Sequence, residues 1–200
     1  VGSYERAIAL RRDFLEAHNN LGNALHDLGR LEEAEVCFRR ALEFKPGNAE
    51  VLNNLGTTLM GRGKLDEAET CFRQAIIHEP NFAEAFNNLG TTLEELGQLT
   101  EAESSYKAAI DLMPAYAKAQ VNLGNTLRSL GKLEEAEASY SQAIALQPDY
   151  TEAYRALSAI KKFDAKDREV LQMRDLHQDN SLSEEHRCQI CFALATVCEN

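Results

Sequence analysis

All four prolines of this 200-residue chain stand in one register: Pro46, Pro80, Pro114 and Pro148 are each 34 residues apart. Three other positions keep the same step, namely Gly22, Gly56, Gly90 and Gly124, then Gly29, Gly63, Gly97 and Gly131, then Ala34, Ala68, Ala102 and Ala136. A strict period of this length, closed by proline and broken near its middle by glycine, predicts units of two helices joined by a tight turn. Such units cannot bury their apolar faces alone and must stack on one another. With Gly22 as the eighth residue of its unit, complete units run 15–48, 49–82, 83–116 and 117–150. Residues 1–14 read as the second helix of a partial unit, with Tyr4 and Ala7 in the places of Phe38 and Ala41, and Arg12 where proline is expected. Residues 151–163 read as the first helix of another partial unit, and 164–200 as a C-terminal helical extension. The register predicts that the array continues upstream of Val1 or is trimmed there.

Each recurring residue has a packing reason. Leu21, Leu55, Leu89 and Leu123, with Leu25, Leu59, Leu93 and Leu127 four residues on, make one apolar stripe per first helix. The glycine after the first leucine removes a side chain where the second helix crosses. Gly29 and its equivalents fall in the turn, where a left-handed residue commonly ends a helix. Phe38, Phe72, Tyr106 and Tyr140 are expected to wedge between helices, while Ala41, Ala75, Ala109 and Ala143 allow close approach. Proline closes each unit because it cannot continue a helix interior. Over about residues 1–163 this pattern resembles the tetratricopeptide repeat (TPR). The resemblance implies an all-α, right-handed superhelix, an α-solenoid whose first helices line the concave side.

Hydrophobic residues make up 44% of the chain, but aromatics only 7% and tryptophan none, so the core must come mostly from leucine, alanine and isoleucine. A net charge of −11 argues against nucleic acid as the partner, since phosphate binding needs clustered lysine and arginine. No apolar run approaches 18 residues, so no membrane span is expected. Five cysteines in no framework spacing fit a reducing compartment, and a cytoplasmic location is the expectation.

The functional signal lies on the first helices. Positions 2, 6, 9 and 13 of each unit share one face by the helical period. They are Glu16, Asn20, Asn23 and Asp27, then Glu50, Asn54, Thr57 and Gly61, then Glu84, Asn88, Thr91 and Glu95, then Lys118, Asn122, Asn125 and Ser129. Asn20, Asn54, Asn88 and Asn122 form a ladder with one rung per unit, and Asn19, Asn53 and Asn87 precede three of the rungs. Asparagine is a mediocre helix-interior residue, so its repetition asks for a reason. A carboxamide both donates and accepts, and so can bridge the N–H and C=O of an extended peptide without reading its sequence. Helices packed roughly 8–10 Å apart would offer one rung to about two or three residues of such a chain. The other role open to these asparagines is to bond to neighbouring helices and fix the stacking geometry. Glu16, Glu50 and Glu84 predict a protein or peptide partner with basic residues toward the N-terminal units, whereas the fourth unit offers Lys118 and Arg128.

The run AEAFNNLGTTLEELGQLTEAESSYKAAI, residues 83–110, resembles the repeats of O-linked N-acetylglucosamine transferases. That resemblance implies that Asn20, Asn54, Asn88 and Asn122 grip protein substrates, with grip fading where Ala156 breaks the ladder. The carboxylate clamp of other tetratricopeptide proteins needs lysine and arginine where this chain has Glu16, Asn19, Asn53 and Glu84. The tail, residues 155–200, resembles the segment after the repeats in bacterial repeat-containing sulfotransferases, through Phe192, Ala193 and Leu194. It implies a second reading: the substrate-recruiting arm of a larger glycosyl- or sulfotransferase. Within the tail, residues 166–177 read as a helix carrying Val170, Leu171, Met173 and Leu176, and Ser181 to Glu184 fits a capping box for a last helix. That helix is expected to fold back on the array or to self-associate.

Nothing else in the sequence carries chemistry. Cys188 and Cys191 make a Cys-x-x-Cys with His186 and Cys198 nearby; the three cysteines share a helical face and read as small thiols buried in a core seam, the other reading being a metal or redox site. Cys37 and Cys71, at one repeat position, read as packing residues. Gly61 to Lys64 is the ordinary inter-helix turn and lacks phosphate-loop spacing. The five histidines are scattered without nucleophile or carboxylate partners. The expectation is a binding scaffold, not an enzyme, with no cofactor.

Overall fold

The computed structural model describes residues 15–164, 166–178 and 182–199, and these hold eleven α-helices and no strand. The reading of residues 1–14 as a helix lies outside the described residues. The fold divides into two compact units between Leu112 and Met113. The first carries α1 (Leu15–Asp27), α2 (Leu31–Phe44), α3 (Ala49–Gly61), α4 (Leu65–His78), α5 (Ala83–Glu95) and α6 (Leu99–Leu112). The second carries α7 (Ala117–Ser129), α8 (Leu133–Leu146), α9 (Thr151–Ser158), α10 (Arg168–Gln178) and α11 (Glu184–Glu199).

Helices pair as α1 with α2, α3 with α4, α5 with α6 and α7 with α8. Between the members of a pair the chain reverses at Gly29, Gly63, Gly97 or Gly131, whose φ lies between 73° and 77°. At Gly63 the amide reaches Met60 O at 2.8 Å and the next amide, of Lys64, returns to Leu59 O at 2.9 Å, so the last carbonyls of α3 are satisfied. A side chain at this φ would be strained, which is why the position reads glycine.

The core of each pair is one aromatic ring laid on one glycine. Phe38, Phe72, Tyr106 and Tyr140 are at most 1% exposed. A Cβ built on Gly22, Gly56, Gly90 or Gly124 would come within 2.5–2.7 Å of the facing ring. Ala41, Ala75, Ala109 and Ala143, all fully buried, let the neighbouring helix approach. In the partial unit Ser158 takes the glycine's place and is itself buried, and Tyr154 and Leu157 of the same helix are fully buried. The Tyr154 hydroxyl donates to Pro148 O at 3.0 Å.

α11 folds back onto α9 and α10. It seats Ile190 and Ala193, both fully buried, and the Thr151 hydroxyl donates to Gln189 Oε1 at 2.6 Å. Val170 and Met173 of α10 fill the same core, while Leu171 is half exposed. Ahead of α10, the Lys161 ammonium joins Glu137 of α8 at 3.5 Å to Glu169 of α10 at 3.1 Å, above the Phe163 ring.

Two expectations for the tail are corrected. The residue that caps α11 is Ser183, whose Oγ accepts from the His186 amide at 3.3 Å; Ser181 lies outside the described residues. Cys188 and Cys191 are exposed rather than buried, because α11 turns its Ile190–Ala193 face inward. The side chain of Cys198 is outside the described residues.

Candidate functional site

The polar face of the first helices is built by two adjacent helix positions with different fates. In unit 1 the outer member of each asparagine pair reaches back to the inner member of the preceding repeat. Asn54 Nδ2 donates to Asn19 Oδ1 at 3.2 Å, and Asn88 Nδ2 donates to Asn53 Oδ1 at 3.0 Å. Asn19 in turn donates to Glu50 Oε1 at 3.0 Å, and Asn87 to Asn88 Oδ1 at 3.4 Å. Asn19 and Asn87 are buried, at 7% and 1% exposure, and Asn53 is half-buried. Asn19 and Asn53 therefore tie one first helix to the next.

The outer ones remain at the surface. Asn20 is exposed and has no hydrogen bond to any described residue, and Asn54 and Asn88 are half-buried. Each carboxamide has two donors and two acceptor lone pairs. Asn54 uses one donor, and its carbonyl is unpartnered among the described residues. Beside them Asn23 is half-buried, and the carboxylates of Glu16, Glu50 and Glu84 are exposed.

In unit 2 the same helix positions give exposed Lys118 and half-buried Asn122 and Asn125. Asn125 Oδ1 accepts from the Tyr140 hydroxyl at 2.9 Å. The equivalent phenol of Tyr106 donates to Thr91 Oγ1 and Glu94 Oε2, both at 3.2 Å. Burial raises the Tyr106 phenol well above its ordinary pKa, so it stays a neutral donor. Where the core ring is phenylalanine, at Phe38 and Phe72, no such donor reaches Asn23 or Thr57. The exchange of tyrosine for phenylalanine at this position is visible in the sequence and signals which polar residues are tied down.

Sequence reasoning missed a second repeating network, on the second helices. Glu35, Glu69 and Glu103 each pair with a basic residue four positions on: Arg39 at 2.9 Å, Arg73 at 2.7 Å and Lys107 at 2.6 Å. Arg39 also reaches Glu67 of the next repeat at 2.6 Å, and Arg73 reaches Glu101 at 2.8 Å. Glu35, at 7% exposure, further receives Arg62 and Lys64 from the turn after α3. The 34-residue spacing of these glutamates and of Arg39, Arg73 and Lys107 was the available signal.

Tetratricopeptide repeat family models match residues 15–48 and 49–82, and a second such model matches 81–149. The chain belongs to the tetratricopeptide repeat family. TTC0263, a thermophilic TPR protein of Thermus thermophilus, is 26% identical, with 91% of this chain and 100% of that one covered and a TM-score of 0.70. YrrB, described as a TPR protein with an unusual peptide-binding site, is 19% identical, with 98% and 93% covered and a TM-score of 0.68. The first TPR of Spaghetti (RPAP3), solved with the HSP90 peptide SRMEEVD, is 31% identical over 56% of this chain and 89% of that one, with a TM-score of 0.55. A comparison with curated proteins gave no match. No described helix is long and apolar enough to cross a membrane, and no described residues group into a metal site.

Proposed function

We propose that this TPR chain is a protein-interaction scaffold that holds an extended segment of its partner along the first-helix face. The observation that carries this reading is the half-exposed Asn54 carboxamide, fixed by one hydrogen bond to Asn19 with its carbonyl left unpartnered among the described residues. The tie orients the amide, so less rotamer freedom is lost when a peptide N–H arrives. Asn20, Asn54, Asn88 and, in unit 2, Asn122 are the rungs. Asn19, Asn53 and Asn87 orient them, and Asn23 and Asn125 extend the polar wall. The likeness of residues 83–110 to O-linked N-acetylglucosamine transferase repeats supports the same use of the ladder.

Glu16, Glu50 and Glu84 favour a basic segment in unit 1. An acidic peptide such as the one held by the Spaghetti (RPAP3) repeat would meet these carboxylates instead of lysine or arginine. Fluorescence titration with lysine-rich and glutamate-rich extended peptides tests the charge choice, and equal affinity at low salt would overturn it.

Asn20 gives a clean test of the ladder, because it has no hydrogen bond to any described residue that its removal would break. Asn20→Ala should not lower the melting temperature, alanine being the better helix former, and should weaken peptide binding about fivefold, the worth of one hydrogen bond of about 1 kcal/mol. Asn54→Ala with Asn88→Ala should weaken it about 30-fold at unchanged helicity. Full binding by both variants would remove the ladder from the function.

A further inference from the structure

We propose that Cys191, paired with His177, is a thiol–disulfide exchange site for small disulfides, with Cys188 as the resolving thiol. The two residues come from different helices: His177 lies in the last turn of α10 and Cys191 in the middle of α11, and the fold places His177 Nδ1 3.5 Å from Cys191 Sγ. All three side chains are exposed. A disulfide in solution can therefore reach Cys191 while the imidazole sits in position to take its proton, the arrangement that activates a weak nucleophile. Neither the peptide-binding face nor the α11 core uses these groups: the core side of the helix is Ile190 and Ala193.

The chemistry balances without any further group. Cys191 Sγ attacks one sulfur of a disulfide R–S–S–R as its proton passes to His177 Nδ1. The S–S bond breaks, and the leaving R–S⁻ takes that proton. Cys188, one helical turn earlier, then attacks the Cys191 sulfur of the mixed disulfide and releases the second R–SH. Two protein thiols are oxidised to one disulfide and the substrate is reduced to two thiols. Residues three apart on a helix have Cα atoms about 5 Å from one another, inside the roughly 4.4–6.8 Å span of disulfides. Cys188 is only the fifth residue of α11, so the first turn can adjust.

The other described cysteines provide the contrast. Burial pushes the Cys71 thiol up to about 11, and both Cys37 and Cys71 are half-buried on second helices. They are less accessible than Cys188 and Cys191.

The test uses the whole chain, oxidised glutathione as the probe, quenching by alkylation and mass spectrometry of each cysteine peptide over time. Cys191 should react first, about tenfold faster than Cys37 or Cys71, and the end product should be the Cys188–Cys191 disulfide. Cys188→Ser should instead accumulate the mixed disulfide on Cys191. His177→Gln should slow Cys191 about tenfold and leave the rates of Cys37 and Cys71 unchanged. A Cys191 rate no higher than that of Cys188 in Cys191→Ser, or indifferent to His177→Gln, would overturn the pairing. A mixed disulfide that persists on Cys191 in the unaltered chain would overturn the role of Cys188.

Discussion

Gly56→Ala should lower the stability of unit 1 by about 3 kcal/mol, at the upper end of the usual cost of overpacking a core. A methyl group there would sit 2.7 Å from Phe72 Cε1 and Cζ, and the ring has nowhere to go because it is fully buried. The atom it meets is the body of an aromatic ring, not the end of a flexible side chain, so relief requires α3 and α4 to move apart. In a stacked array each repeat leans only on its neighbours, and α3 is held on both sides, by α2 and by α4. Widening one pair should therefore loosen both junctions. Chemical denaturation of the variant measures the loss. Gly56→Ala combined with Phe72→Leu should recover about half of it, since the shorter side chain vacates the volume the methyl takes. A single variant as stable as the parent would show that the ring-on-glycine contact does not limit the approach of the helices.

That contact is also the part of the fold most legible in the sequence. Gly56 and Phe72 recur with period 34, and only a rigid close approach explains why both recur together. The face of the first helices was legible in position but not in role. The Asn53–Asn54 and Asn87–Asn88 pairs look alike in sequence, yet Asn87 is buried, Asn53 is half-buried, and it is Asn54 and Asn88 that donate to the preceding repeat. The helical period places both near one face, about 100° apart, and only the approach of the next helix decides which is covered. The register of α11 was not legible for a different reason. Small or apolar residues occupy nearly every side of Cys188–Val197, so periodicity gives no preferred face, and burial was decided by which side fits α9 and α10. Long-range ion pairs such as Arg39 with Glu67 escape a search for amphipathic stripes because exposed charges read as a solvated surface until two helices are brought together.

Glu35→Gln should destabilise unit 1 by about 2 kcal/mol near neutral pH, and the size of that loss should depend on pH in one direction. Glu35 is nearly buried, which by itself would raise its carboxyl, but hydrogen bonds from Arg39, Lys64 and Arg62 outweigh this and hold it below the ordinary carboxylate range. A group whose folded value is depressed contributes stability that is complete above its unfolded value. The contribution fades as pH falls through the folded value. The gap between parent and variant should thus be full at neutral pH and close in the acid range below the ordinary glutamate value. Arg39, Lys64 and Arg62 keep partial access to water, so they are not stranded by the change and the loss stays below that of a fully buried pair. Urea unfolding of both proteins across pH measures this, and a gap that does not narrow in acid would exclude the ion pair as its source. The junction that Glu35 holds is the one that sets Asn54 against Asn19: the Arg62–Lys64 turn follows α3, and α3 carries Asn54. The same variant should therefore weaken the peptide capture proposed for the first helices without removing any group that the proposal places in the ladder. Hydrogen exchange should show α1 and α3 opening more readily while α6, two repeats away, stays protected.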